Sequence, residues 1–310
     1  MDTLAGGDAT STLYLLVGAI ITVALAAAIH FTLNKKPKST PGPVALKASE
    51  FQPFKVSKKE YISHDTLRIT FDLQTPTTRL GLPVGHHITF RFENKEGKGV
   101  QRSYTPVTGD EVLGTVTFVI KVYKPCEKFP EGGKMSQHVD SLNVGDTLMM
   151  KGPKGHLKYL GQGRFTVKEL RKPAAERKGT KFGLIAGGTG ITPMLQLANA
   201  IFRDDKDKTT TLSLLYANQT ENDILCREEI EALAKANPDR FSVWYTLDRP
   251  PESGWKYSTG FINKEMLEEH MPKASDSTHI LMCGPPPMLK FACLPNLDAM
   301  NIKEENRFAY

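Results

Sequence analysis

Between residues 161 and 180 this chain of 310 residues changes its folding grammar, and that change constrains the architecture more than any other feature. Upstream, β-favouring apolar runs recur at short spacing: Phe54–Ile62, Leu67–Leu73, His87–Phe92, Gln101–Thr108, Thr115–Tyr123 and Thr147–Lys151. Turn chemistry separates them at Gly81-Leu82-Pro83 with Gly85, at Asn94 to Gly99 and at Gly109-Asp110. Thr115–Tyr123 reads as a buried strand rather than an edge, and one short helix fits Ser136 to Leu142. Six close strands and one helix predict a small antiparallel β-barrel over 54–165. Downstream the pattern alternates: strand Phe182–Ala186, helix Thr192–Phe202, strand Thr211–Ala217, helix Glu221–Ala236, strand Phe241–Leu247, helix Asn263–His270, strand His279–Cys283. Such alternation needs crossover connections and predicts an α/β lobe on a parallel sheet over 181–310. The polar stretch 161–180 reads as a hinge between lobes, assigned to 166–180 in the domain division.

Ahead of both lobes, Leu13 to Leu33 carries no Lys, Arg, Asp or Glu. An apolar helix of roughly 20 residues spans a bilayer core, so 13–33 is expected as a single transmembrane anchor. Asp2 and Asp8 precede it, and Lys35, Lys36 and Lys38 follow it. The positive-inside rule puts the bulk of the chain in the cytosol and residues 1–12 on the lumenal or outer side. A cleaved signal peptide would have a basic start, and a matrix transit peptide would be Arg-rich; the first Arg is Arg68. Residues 34–53, with Pro37, Pro41, Gly42, Pro43 and Pro53, read as an extended tether.

The net charge of +6 is unevenly spread. Residues 34–178 hold 26 Lys+Arg against 14 Asp+Glu, whereas 179–310 hold 14 against 18. A lobe at +12 beside one at −4 predicts an acidic partner for the first. The bases are dispersed and no nucleic-acid motif accompanies them, so no nucleic-acid role is expected. Four scattered cysteines (Cys126, Cys226, Cys283, Cys293) form no C-x-x-C pair, which argues against a zinc site, an iron–sulfur cluster or a disulfide framework. No metal ligands are assigned.

Four stretches carry the chemistry. Arg102-Ser103-Tyr104-Thr105-Pro106 sets a fixed cation, an aromatic face and hydroxyls on an extended segment, which suits a phosphate and a planar ring together. Gly133-Lys134-Met135-Ser136, after Gly132, offers a glycine turn, a cation, a hydroxyl and a helix start, a second phosphate cradle. Two cradles in one lobe fit a diphosphate better than a monophosphate. Gly187-Gly188-Thr189-Gly190 joins a strand to a helix beginning near Thr192-Pro193, where glycines let a phosphate approach backbone N–H groups. It is not a G-x-G-x-x-G fingerprint, and without a ligand it is a tight strand-to-helix turn. Finally Cys283-Gly284-Pro285-Pro286-Pro287-Met288 stands at the carboxyl end of a strand, where open parallel sheets bind ligands. Cys283 has no general base beside it in sequence and is not read as a nucleophile.

Taken in order, RSYTP, VIKVY, GGKMS, AGGTGITPM and CGPPPM resemble the NADH–cytochrome b5 reductase family over about residues 54–310. The resemblance implies a ferredoxin reductase-like pair, an FAD-binding barrel followed by an NAD-binding lobe. It implies that Arg102 pairs with the flavin pyrophosphate while Tyr104 and Thr105 contact the isoalloxazine. By the same resemblance Val119, Lys121, Val122 and Tyr123 belong to the FAD and nicotinamide sites, and Lys134, Met135 and Ser136 to the diphosphate and adenosine contacts. Thr192 and Cys283 fall near the flavin–nicotinamide junction, Gly284 to Met288 on the nicotinamide side, and Asp248 at the acid that disfavours a 2′-phosphate. Two departures stand out: Tyr310 ends the chain where the family has Phe, and His86 precedes His87 where a Gln-His pair is common.

The expected function is hydride transfer from NADH to FAD, then single-electron transfer to cytochrome b5, docked through its acidic surface on the basic FAD lobe. The expected location is a cytosol-facing membrane, endoplasmic reticulum or mitochondrial outer membrane. Two alternatives stand beside it: the same flavin chemistry serving an iron–sulfur or metal protein, and a tethered binding module without turnover.

Overall fold

The structure, a computed structural model, describes residues 42–127, 129–169, 171 and 173–310; the expected anchor at 13–33 and the first part of the expected tether, 34–41, lie outside the described residues. The rest of the expected tether is not a free linker: Ala45 and Leu46 are buried and donate their N–H groups to the Arg79 and Leu80 carbonyls at 2.9 and 3.1 Å, and the first strand already begins at Gln52. Among the described residues no helix is long and apolar enough to cross a membrane.

Strands β1 (Gln52–Tyr61), β2 (Thr66–Asp72), β3 (His87–Glu93), β4 (Gly99–Tyr104) and β5 (Thr115–Lys121) are followed by helix α1 (Lys134–Ser141) and β6 (Thr147–Lys154). They pair antiparallel in the order β4-β3-β6-β1-β2-β5. Alternate residues turn inward: Phe54 and Val56 of β1, Ile69 and Phe71 of β2, Leu148 and Met150 of β6 are all buried. The sheet curls on itself. Phe90 of β3 meets Phe118 of β5 edge-on at 4.8 Å although four places separate those strands in the order. Phe71 closes an aromatic trio at 6.1 and 6.0 Å.

Three expectations are corrected here. The strand foreseen over Gln101–Thr108 stops at Tyr104, because Pro106 has no N–H to give a ladder. β5 is terminal in the pairing order rather than internal, although Val116, Phe118, Val119 and Ile120 are buried. Its free edge is covered by the returning chain: Val107 N–H donates to the Thr117 carbonyl at 2.9 Å, and Thr117 N–H to the Thr108 hydroxyl at 2.9 Å. The stretch 161–180 is not merely a polar connection, since β7 (Leu157–Gly161), β8 (Arg164–Val167) and β9 (Ala175–Lys178) form a small antiparallel sheet. Phe165 of β8 packs on Phe182 at 5.6 Å, so a hydrophobic core runs from this sheet into the second lobe.

The second lobe contains β10 (Lys181–Gly187), α2 (Ile191–Arg203), β11 (Thr211–Asn218), α3 (Arg227–Ala236), β12 (Phe241–Leu247), β13 (Ser258–Thr259), α4 (Lys264–His270), β14 (Thr278–Cys283), α5 (Leu294–Ala299) and β15 (Arg307–Ala309). The sheet order is β13-β12-β11-β10-β14-β15, and every pair is parallel. Central strand β10 is buried from Phe182 to Gly187, as a strand covered on both faces must be. Alternation divides its neighbours. Leu184, Leu214, Tyr216 and Leu281 join α2 and α3 on one face; Ile185, Leu215, Ile280 and Met282 join α4 and α5 on the other.

The single helix expected over Glu221–Ala236 is broken. A 3₁₀ turn at Glu221–Asp223 is capped by Thr220, and α3 starts only at Arg227. Between them Ile224, Leu225 and Cys226 drop into the core, Cys226 turns left-handed (φ 54°), and Leu225 N–H donates to the Tyr216 hydroxyl at 3.2 Å. Burying those side chains outweighs continuing the helix.

Candidate active site

A cavity of about 1160 Å³ lies where the carboxyl ends of β10, β11, β12 and β14 face β5 and the end of β4. That volume exceeds the range of about 300–1,000 Å³ usual for one drug-sized ligand, so it accommodates two large heterocycles. From the first lobe come His87, Ser103, Tyr104, Thr105, Val119, Lys121 and Tyr123. From the second come Gly187 to Gly190, Thr192, Pro193, Asp248, Cys283, Gly284, Pro285, Pro287 and Met288. Apart from His87, these were singled out from sequence, and they are drawn together from positions 103 to 288.

The strand-to-helix turn after β10 is built around close approach. A Cβ on Gly190 would be driven into the Cys283 carbonyl, and one on Gly284 would meet Met288. Gly188 sits at φ +53° with open space where a Cβ would point. The first turn of α2 has no side-chain cap; Ile191 N–H donates to the Gly188 and Thr189 carbonyls, and Thr192 and Pro193 of that turn line the cavity. Tyr216, buried on β11, donates its hydroxyl to the Gly188 carbonyl at 3.0 Å and pins the turn from beneath.

Several expected residues support the wall without lining it. Met135 and Val122 are buried in the core of the first lobe. Ser136 accepts from Tyr123 N–H at 3.1 Å and donates to the Gly133 carbonyl at 2.9 Å, while Gly133 N–H donates to the Tyr123 carbonyl at 2.8 Å. The 133–136 turn therefore sets the position of Tyr123. Helix α1 has no side-chain cap either. Lys134 pairs with Glu131 at 3.0 Å. Arg102 is exposed; it donates to the Gln101 carbonyl at 2.7 Å and has no carboxylate partner among the described residues. Pro106 and Pro286 lie outside the lining.

Most of the wall is uncharged at neutral pH. Burial pushes His87 down to about 4, the Cys283 thiol up to about 11 and the Tyr104 phenol up to about 12, leaving all three neutral. Lys121, Asp223 and Asp248 are the charged groups in the lining. Burial works against the Lys121 ammonium, but Asp223 at 2.7 Å and Asp65 at 2.8 Å outweigh it and raise its pKa. Since Asp65 and Lys121 belong to the first lobe and Asp223 to the second, this ion cluster bridges the lobes. Arg68 of β2 and Glu229 of α3 form another bridge between them.

Sequence reasoning missed Asp223, Asn218, Gln219, Leu225, Phe261 and Phe291 as lining residues. The strand-end rule could have found Asn218 and Gln219, which end β11. Phe261, in a bend, and Phe291, in the π-helical turn Met288–Cys293, are exposed rings and left no periodic signal. Tyr310 also lines the cavity, held by its N–H to the Met282 carbonyl at 3.0 Å and by an edge contact with Phe308 at 5.0 Å.

Comparison with known proteins agrees with this geometry. The oxidoreductase FAD-binding domain family matches residues 53–159, and the oxidoreductase NAD-binding domain family matches residues 184–294. The chain is 50% identical over 272 residues to NADH-cytochrome b5 reductase 2 of Gallus gallus, covering 86% of this chain and 88% of that protein. The chain belongs to the NADH-cytochrome b5 reductase family. It is also 50% identical over 255 residues to NADH-cytochrome b5 reductase 1 of Homo sapiens, covering 81% and 83% of the two chains. Among solved structures, the cytochrome b5 reductase domain of Ulva prolifera nitrate reductase superposes with a TM-score of 0.81 at 43% identity, covering 87% of this chain and all of that one. Membership in the family accounts for the paired lobes: an antiparallel sheet for FAD and a parallel sheet for NAD.

Proposed function

We propose that this chain is a membrane-anchored NADH-cytochrome b5 reductase. The observation that carries the reading is the two-lobed cavity, in which Tyr104 and Thr105 of the FAD-binding lobe share one space with Gly187–Gly190 and Cys283–Met288 of the NAD-binding lobe. FAD held there would supply the chemistry, taking up hydride from NADH and delivering electrons singly to cytochrome b5.

The chain's own residues hold, orient and shield. Arg102, which has no carboxylate partner among the described residues, and the start of α1 at Gly133–Ser136, which has no side-chain cap, would take the flavin diphosphate. Tyr104 and Thr105 form the ring-contacting wall, with Val119 and Tyr123 beside them. The Gly187–Gly190 turn and the uncapped start of α2, with Thr192 and Pro193, take the dinucleotide phosphates. Cys283, Gly284, Pro285 and Met288 wall the nicotinamide side, where the thiol remains protonated and contributes shape rather than charge. Asp248, just beyond β12, lines the cavity and would repel a 2′-phosphate. A reaction of this type needs no acid–base pair, which suits a wall whose buried groups stay neutral.

The basic first lobe receives an acidic acceptor. The apolar run 13–33, followed by lysines, anchors the chain with its catalytic part in the cytosol, on the endoplasmic reticulum or the mitochondrial outer membrane. Steady-state assays with NADH and three acceptors test the reading: cytochrome b5, an iron–sulfur protein and ferricyanide. The expected ranking puts cytochrome b5 well above the iron–sulfur protein. Turnover with ferricyanide but not with cytochrome b5 would reassign the acceptor, and no turnover at all would leave a binding module.

A further inference from the structure

We propose that Gln196 is a positioning residue that fixes the nicotinamide side of the cavity against the flavin side. Thr192 and Gln196 lie four residues apart on α2, hence on one face a single turn apart. Thr192 lines the cavity; Gln196, only 9% exposed, reaches into the other lobe. Its Oε1 accepts from Gly85 N–H at 2.7 Å, and its Nε2 donates towards the His86 carbonyl at 3.4 Å. The next residue, His87, opens β3 and lines the cavity. A continuous path thus runs from one cavity wall through a single side-chain amide to the opposite wall.

The loop that Gln196 grips has little room to adjust. Gly85 sits at φ +92°, and a Cβ there would lie 2.7 Å from both the Leu157 carbonyl oxygen and its side chain. Val84 accepts from Tyr159 N–H at 2.9 Å, and His86 N–H donates to the Pro83 carbonyl at 3.0 Å. The loop is rigid in its own lobe, α2 is packed in the other, and Gln196 joins them. Removing the amide leaves the buried Gly85 donor and the part-buried His86 acceptor without this partner, and they regain one only if the lobes shift. A shift of about 1 Å between reacting groups costs on the order of 100-fold in rate.

The inference rests on the hydride reaction proposed above. The test uses the full chain loaded with FAD, comparing wild type with Gln196→Leu, Gln196→Met and Gln196→Glu. Three quantities are read: single-turnover flavin reduction by NADH, NAD⁺ affinity with FAD content, and amide exchange at residues 84–87. The apolar variants should reduce their flavin about 10- to 100-fold more slowly, with FAD content and NAD⁺ affinity within about twofold of wild type and faster exchange at Gly85. Gln196→Glu keeps the acceptor, so it should retain Gly85 protection and lose less rate. Reduction at the wild-type rate, or a loss that tracks FAD loss, overturns the inference. Should neither apolar variant fold, Gln196→Glu decides: reduction unchanged from wild type overturns it, and a slower rate with Gly85 still protected supports it. A wild-type flavin that NADH cannot reduce would instead contradict the reaction itself.

Discussion

Single side chains in the cavity are governed by burial. The Tyr310 hydroxyl is buried without a hydrogen-bond partner among the described residues, and burial pushes its pKa up. Such a group costs about 1–3 kcal/mol relative to a satisfied one. Tyr310→Phe should therefore raise the melting temperature of the cofactor-free protein; a lower one would mean the hydroxyl has a partner. His87 links the site to pH. Its folded pKa is held down to about 4, against 6.5 for the ordinary imidazole, by burial first and Lys154 second. Above pH 6.5 both folded and unfolded forms are neutral, and this group leaves stability unchanged. As pH falls towards 4 the unfolded chain takes up a proton that the folded chain refuses, so stability is lost across that window. His87→Gln should flatten the fall of melting temperature there. Asp248→Ala should raise activity with NADPH relative to NADH, by about tenfold if one charge repulsion of about 1.4 kcal/mol is removed; an unchanged ratio would assign donor choice to another residue.

At the scale of elements, the turn between β10 and α2 separates two kinds of glycine. Gly190 is required by space, because a Cβ there runs into the Cys283 carbonyl. Gly188 is required only by its backbone angle, φ +53°, and its Cβ would meet nothing. Gly188→Ala should cost about 1 kcal/mol in thermal unfolding, and Gly190→Ala several times more, with loss of NAD⁺ binding. Equal effects would mean the turn relaxes freely. Elements that alternate strictly were legible from sequence: β12 falls on Phe241–Leu247 as expected, and β10, α2 and β14 lie within a residue of their forecasts. The failures have physical causes. β9 is almost wholly exposed and carries no burial period, and β8, though it buries Phe165 and Val167 alternately, has only four residues in which to show one. The helix expected from Glu221 broke because Ile224 and Leu225 gain more in the core than on a helix surface. The cavity wall was legible where glycine or proline marks the backbone, as at Gly187–Gly190, whereas Arg102, marked by its fixed charge, lies outside the lining. The site was not legible where tertiary contact decides, as at Tyr216, Gln196 and the Lys121–Asp223 pair.

For the whole molecule, what matters is that two lobes are held at one spacing, with Val119 of β5 packed into the core of the second lobe. Gln196, the Lys121 cluster and the Arg68–Glu229 bridge all cross the same junction. The charge asymmetry belongs to this scale too. An acidic acceptor meeting a lobe that carries the excess of bases should reduce more slowly as ionic strength rises. A salt-independent rate with cytochrome b5 would remove electrostatic docking from the account. The most direct test is the absorbance spectrum of the purified protein, recorded without oxygen before and after NADH. The account predicts an oxidised flavin spectrum that bleaches on stoichiometric NADH and returns when cytochrome b5 is added. A folded, colourless protein, or a flavin that NADH leaves oxidised, would contradict it.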